Sequence, residues 1–150
     1  KKVSLHDFKG KLVLLNFGYT HCPDICPMIL ENLKQVNRKL GKDAKKVQTI
    51  FITFDPERDT PEIVQSYAEA FDESFLGLSG TSAEIAKLTK KYGGQYFVQE
   101  VEGVEGYFLA HTDYIYLYDG LQRIRAFYKG STPIQEIVQN IQQLLKEKNK

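Results

Sequence analysis

The chain has 150 residues, 42% hydrophobic and 26% charged, with 20 Lys+Arg set against 19 Asp+Glu, two Cys, one Met and no Trp. That length and apolar share suit one domain over residues 1–150 with its own core, and two cysteines exclude a multi-bridge disulfide scaffold. A net charge of +1 excludes the basic footprint that nucleic-acid binding needs, so no nucleic-acid partner is expected.

No apolar run approaches the ~20 residues that span a bilayer. The chain opens at Lys1-Lys2-Val3 without a Met, so an upstream anchor or targeting segment is expected to be missing. Leu12 to Phe17 is a near-continuous apolar run ending at Gly18, which suits a strand buried on both faces. A helix pattern follows in Pro27, Ile29, Leu30, Leu33, Val36 and Leu40, with Gly41 at the C-cap position. Val47 to Phe54 reads as a second central strand. The polar run Asp55-Pro-Glu-Arg-Asp-Thr-Pro61 then leads into a helix with Thr60 as N-cap, Pro61 at its first position, and Ile63, Val64, Tyr67, Ala68 and Phe71 on its buried face.

Phe75 to Leu78 suits a short strand, and Thr81-Ser-Ala-Glu84 has the spacing of a capping box opening a helix through Ile85, Leu88 and Tyr92, closed by Gly93-Gly94. Tyr96 to Val101 and Tyr107 to Tyr118 read as strands, and Asp119-Gly120 as a hairpin turn before Leu121 to Tyr128. Thr132-Pro133 starts a last helix carrying Ile134, Ile137, Val138, Ile141 and Leu145. The order predicts an α/β thioredoxin-like fold: a mixed central sheet, helices on both faces and a β-hairpin near the C-terminus.

The two cysteines stand in Thr20-His-Cys-Pro-Asp-Ile-Cys-Pro27, at a strand-to-helix junction. Unpaired amides and the positive end of the helix dipole stabilise thiolate there. If the helix already runs through Cys26, Cys22 and Cys26 lie on one face with α-carbons about 6 Å apart, so the pair can close to a disulfide or chelate an ion. The extra residue relative to the usual Cys-x-x-Cys weakens a generic thioredoxin reading and leaves room for a metal.

Two thiolates leave a metal short of ligands. His6 sits in the N-terminal segment, and His21 adjoins Cys22 but points away from it as neighbours generally do. His111 precedes the strand that, in a thioredoxin-like fold, enters beside the cysteine-bearing helix start. It is the expected third ligand, with a structural histidine as the alternative. Cys, Cys and His suit copper as a soft set. Zinc accepts the same ligand types and asks for a fourth donor. Met28, beside Ile29 and Leu30, reads as core rather than as a thioether ligand. The Asp55–Asp59 run either caps the next helix, with Arg58 tying the loop, or tunes the thiols and meets a partner.

Taken together, Phe17-Gly-Tyr-Thr-His-Cys-Pro-Asp-Ile-Cys-Pro27, Asp55-Pro-Glu-Arg-Asp-Thr-Pro61, Leu78-Ser-Gly-Thr81 and His111 followed by Tyr116-Leu117 resemble the Sco/SenC family, over roughly Gly10 to Leu145. The resemblance implies a membrane-anchored, extracytoplasmic thioredoxin-like domain, in the bacterial periplasm or the mitochondrial intermembrane space. It implies one copper ion, Cu(I) or Cu(II), on Cys22, Cys26 and His111, and a metallochaperone role toward the copper-site subunit of cytochrome c oxidase. Other copper chaperones or thiol reductases are further implied partners. Ala110 departs from the family, which usually has an Asp just before the ligand His. A neighbouring carboxylate orients a histidine ligand and raises its basicity, so the change bears on copper affinity or docking.

The alternative function is a thiol–disulfide oxidoreductase that reduces the partner's cysteine pair through Cys22 and Cys26; the two roles can coexist. A peroxidase on the same fold ranks last, because no Gln/Trp or Thr/Arg arrangement for peroxide is apparent.

Overall fold

The structure, a computed structural model, describes residues 5–20, 25–91, 96–99, 108–111 and 114–148. After a 3-10 turn at Leu5–Phe8 come β1 (Leu12–Gly18), α1 (Ile25–Leu40), a second 3-10 turn (Gly41–Lys46), β2 (Val47–Thr53), α2 (Pro61–Phe71), β3 (Leu76–Leu78) and α3 (Ser82–Lys91). The second half holds β4 (Tyr96–Gln99), β5 (Phe108–His111), β6 (Tyr114–Tyr118), β7 (Ile124–Lys129) and α4 (Ile134–Lys148). Five strands make one sheet in the order β3-β2-β1-β6-β7, and β4 pairs with β5 apart from it.

β1 runs parallel to β2 and antiparallel to β6, so the sheet is mixed, as a βαβ unit followed by ββα requires. All seven residues of β1 are buried. Successive side chains of a strand point to opposite faces, so both faces of the sheet are covered. Leu14, Phe51, Ile115 and Leu117 form the middle of the core, joined by Ile29, Leu30, Leu33 and Val36 of α1 and Ile137 and Ile141 of α4, which packs against α1.

The local start and stop signals act as the sequence predicts. Thr60 accepts the Ile63 amide at 3.3 Å, and Pro61 takes the first helical position of α2. At α3 the capping box closes both ways: the Thr81 amide donates to Glu84 at 3.0 Å, and the Glu84 amide donates to the Thr81 hydroxyl at 3.1 Å. Gly41 follows α1 with φ +59°, the left-handed conformation its C-cap position demands.

Several expectations are corrected. The stretch Tyr107 to Tyr118 is not one strand. Its first half pairs with β4 and its second with β1 and β7, so the chain changes sheets between His111 and Tyr114. Met28 is exposed rather than core: it lies about 100° from Ile29 around the helix, outside the arc that Ile29, Leu30, Leu33, Val36 and Leu40 bury. Ile63 sits at the margin of the apolar arc of α2 and is also exposed, whereas Val64 and Ala68 are buried.

The Asp119-Gly120 turn is longer than a two-residue hairpin. Gln122 takes the positive φ of 65°, the Gln122 amide donates to the Asp119 carbonyl, and the Asp119 amide donates to the Arg123 carbonyl. Gly120 packs closely on an earlier segment: a Cβ there would meet the Gly10 backbone at 3.3 Å, where the Gly10 amide donates to the Gly120 carbonyl. Tyr92 to Gln95, with the expected Gly93-Gly94 stop, lies outside the described residues.

Candidate metal and thiol site

The parallel pairing of β1 with β2, and of β2 with β3, puts the carboxyl ends of three strands at one pole of the sheet, where α/β folds place ligands. From β1 the chain leaves at Gly18 toward the cysteine loop. α1 then returns it to the opposite pole, so that β2 can start in parallel. β6 begins at the same pole: Ile115 is opposite Asn16, and Tyr114 therefore lies level with the end of β1. His111 is three residues before Tyr114, within about 11 Å by chain length.

The cysteine loop thus leaves the pole that the end of β5 approaches. Cys22 lies outside the described residues, as do His21, Pro23 and Asp24. Cys26 belongs to the first turn of α1 and His111 is the last residue of β5, paired in register with Tyr96; the side chains of both lie outside what is described. His6 is in the first 3-10 turn, and its side chain is likewise outside.

α1 starts at Ile25, two residues earlier than the apolar periodicity indicates, so the Cys26 backbone is helical, while Cys22 lies before the helix and outside the described residues. The first turn, counted from Ile25, carries no acidic side chain. At this pole Phe17 stacks on Phe54 with ring centroids 5.5 Å apart and meets the edge of Tyr116 at 6.4 Å. All three rings are buried, giving the pole an apolar floor.

The Asp55–Asp59 run splits its work between its two acids. Arg58 forms an ion pair with the buried Asp55, as expected for a loop tie. Asp59 does not cap α2, which Thr60 does. Its carboxylate is fully buried and reaches across to the exit of β1: Oδ2 accepts the Thr20 amide at 2.9 Å and the Thr53 hydroxyl at 2.7 Å, and Oδ1 accepts the Thr20 hydroxyl. The Thr53 hydroxyl in turn accepts the Asp55 amide at 2.9 Å.

The Asp59 carbonyl accepts the Ser79 hydroxyl at 2.7 Å, at the end of β3. The Phe54 amide donates to the Gly18 carbonyl at 2.7 Å, extending the β1–β2 ladder into the loop. Sequence reasoning misses this role of Asp59 and Thr20. Nothing in the local pattern of either segment signals a bond between residues 39 apart.

Among the described residues no group of three or more His, Cys, Asp or Glu stands together as a metal set. The set expected from the sequence, two thiols and one imidazole, is a soft one whose chemistry suits copper.

Comparison with known proteins gives the same frame. The chain is 39% identical to the protein SCO2 homolog, mitochondrial, of Mus musculus over 137 residues, covering 90% of this chain and 54% of that protein. It spans about half the length of the curated relatives it matches. Its fold is similar to Bradyrhizobium japonicum ScoI, solved with copper bound, at TM-score 0.85 and 39% identity, covering 95% of this chain and 90% of that one. It is also similar, at TM-score 0.73 and 26% identity, to BsSco, described as having a disulfide switch and as a member of the Sco family of cytochrome c oxidase assembly proteins; 96% of this chain and 85% of that one are covered. The SCO1/SenC family pattern matches residues 1–146, which include both cysteines, His111 and the Asp55–Asp59 run, and the chain belongs to that family.

Proposed function

We propose that this chain binds one copper ion as cargo on Cys22, Cys26 and His111 and takes part in assembling the copper site of cytochrome c oxidase. The observation that supports this reading is the common pole: the end of β1 and the start of β6 lie at one end of the sheet, with Cys22 two residues after Thr20 and His111 three residues before Tyr114 along the chain. Similarity to a copper-bound ScoI at 39% identity supports the cargo, and similarity to a protein described as belonging to the cytochrome c oxidase assembly family supports the partner. An extracytoplasmic or intermembrane setting with a membrane attachment belongs to the same proposal, in keeping with the mitochondrial relatives.

In this reading Cys22 and Cys26 bind as thiolates, favoured by the helix dipole, while neutral His111 completes the set. Transfer then proceeds by ligand exchange, a partner thiolate displacing one donor at a time. Met28, exposed at the start of α1, stands outside the ligand set.

Similarity to the disulfide-switch protein favours a second reading on the same residues. The Cys22 thiolate attacks a partner disulfide, forming a mixed disulfide and expelling one partner thiolate. The Cys26 thiolate then attacks the Cys22 sulfur and releases the second. Two electrons pass to the partner, and this chain is left as the Cys22–Cys26 disulfide until a dithiol reductant restores it.

Titration of the reduced and the oxidised protein with Cu(I) and Cu(II) tests the proposal. One copper per chain is expected only in the reduced form, with binding lost in Cys22→Ala and Cys26→Ala and strongly weakened in His111→Ala. Full affinity in His111→Ala overturns the three-ligand set. Partner reduction that survives loss of His111 but not of Cys22 assigns the thiol role.

A further inference from the structure

Asp59 is wholly buried, and its carboxylate gathers two threonine hydroxyls and a main-chain amide from two different strand exits. Burying an ionised group is unfavourable unless it is well hydrogen-bonded, and charge-assisted bonds of this kind are the strong ones. Both Thr20 bonds fall on the last described residue before the cysteine loop, two positions from Cys22.

Asp59 itself is held from behind. Its amide donates to the Asp55 carbonyl at 2.8 Å, and its carbonyl accepts from Ser79 at the end of β3. Thr53 anchors it to the last residue of β2. Asp59 therefore joins the exits of three parallel strands, and of these it is the exit of β1 that continues into the cysteine loop.

We propose that Asp59 is a positioning residue for the cysteine pair: through the Thr20 amide and hydroxyl it fixes where the chain enters the loop, and so sets the spacing of the Cys22 and Cys26 sulfurs. The inference deepens the function proposed above and rests on Cys22 and Cys26 being the working thiols. It does not depend on copper being the cargo, because sulfur spacing also sets how readily the pair closes to a disulfide.

Asp59→Asn is nearly isosteric but removes the charge and leaves a single acceptor oxygen; with that oxygen on the Thr20 amide and the Thr53 hydroxyl, the Thr20 hydroxyl must reverse to accept from the new amide, and all three contacts lose their charge-assisted strength. Thr20→Val removes the hydroxyl bond while keeping the buried charge, which separates tethering from electrostatics. Thr20→Ser keeps both bonds and serves as the rescue. Each variant is measured for Cu(I) affinity by competition with a chromophoric chelator, for the Cys22–Cys26 reduction potential in glutathione buffer, and for thermal stability.

Loss of Asp59's support should weaken Cu(I) binding by about tenfold, as removal of a group that orients a metal ligand does. The thiol–disulfide equilibrium constant should move by several-fold in Asp59→Asn. Thr20→Val should move both readouts in the same direction by less, and Thr20→Ser should match the wild type. Lowered thermal stability in Asp59→Asn with unchanged affinity and unchanged potential overturns the proposal, leaving Asp59 a structural brace. If Asp59→Asn does not fold, Thr20→Val against Thr20→Ser decides: equal values in the two overturn it. If the wild type takes no copper when reduced, the copper reading fails, and the potentials alone uphold or overturn the role of Asp59.

Discussion

Each pole of the sheet is organised by a buried aspartate, and the two are built differently. Asp119 fastens the turn after β6 with partners no more than six residues away: the Leu121 and Arg123 amides on Oδ1, and the Arg123 and Arg125 guanidinium groups on Oδ2. Arg125 continues to Glu147 on α4 at 3.0 Å. Asp59, at the other pole, has hydroxyl and amide donors, and its Thr20 bonds cross 39 residues.

A local fastener decides the shape of one turn. A long-range joint decides how separate strands sit relative to one another. The first is a stability device at the pole where β1 begins, and the second braces the pole from which the cysteine loop leaves. Chemistry that depends on sulfur spacing should accordingly respond to Asp59 and ignore Asp119.

The sharpest way to break the comparison is Asp59→Ala. It takes from the Thr20 amide and two hydroxyls the acceptor they share, and with about 1–3 kcal/mol for each buried group left unsatisfied, a loss of roughly 3 kcal/mol is expected after relaxation. Chemical denaturation of the reduced protein measures it. A loss no larger than that of Asp119→Asn removes the distinction between the poles.

How much of the molecule can be read from its sequence follows the same division. Signals confined to a few residues are legible: the apolar run of β1, the Thr81–Glu84 box, Thr60 and Pro61 at α2, and Gly41 after α1. So is the pattern around the cysteines that identifies the family. Partnerships that depend on the assembled sheet are not. The polar residues His111-Thr112-Asp113 interrupt the apolar stretch from Tyr107 to Tyr118 where β5 gives way to β6, but nothing local says that the two halves pair in different sheets. Gly120 reads as a turn residue, yet what crowds it is the Gly10 backbone, far back in the chain. The exposure of Met28 is legible in principle, since its angle on the helix wheel separates it from Ile29 and Leu30.

Asp119→Asn sharpens the other half of the comparison and carries a pH signature. Burial alone would raise the Asp119 carboxyl, but the Arg123 and Leu121 amides and the two guanidinium groups outweigh it and hold it below its ordinary value. A carboxyl held low in the folded state contributes stability above its unfolded-state value and loses it as pH falls through the folded one. Both arginines are substantially exposed, so solvent screening keeps the effect to about 1 kcal/mol at neutral pH. The thermal-stability gap between wild type and Asp119→Asn should be constant above about pH 5 and close below about pH 4. A gap that widens on acidification contradicts the assignment.

An effect no larger than that of Asp119→Asn is expected at Gly120→Ala. Its Cβ would stand 3.3 Å from the Gly10 backbone, a contact that a shift of a few tenths of an ångström relieves. The turn and the segment before β1 are joined there by the Gly10 amide to Gly120 carbonyl bond of 3.1 Å, which the shift would stretch without breaking. A loss of about 1 kcal/mol is the expected scale for a mild overpacking of this kind. Because the substitution acts at the pole opposite the cysteine loop, the Cys22–Cys26 reduction potential should stay at its wild-type value while thermal stability falls. A shift in that potential would mean that strain at one end of β1 travels its length to the other. The two aspartates would then belong to a single coupled framework rather than to two independent ones.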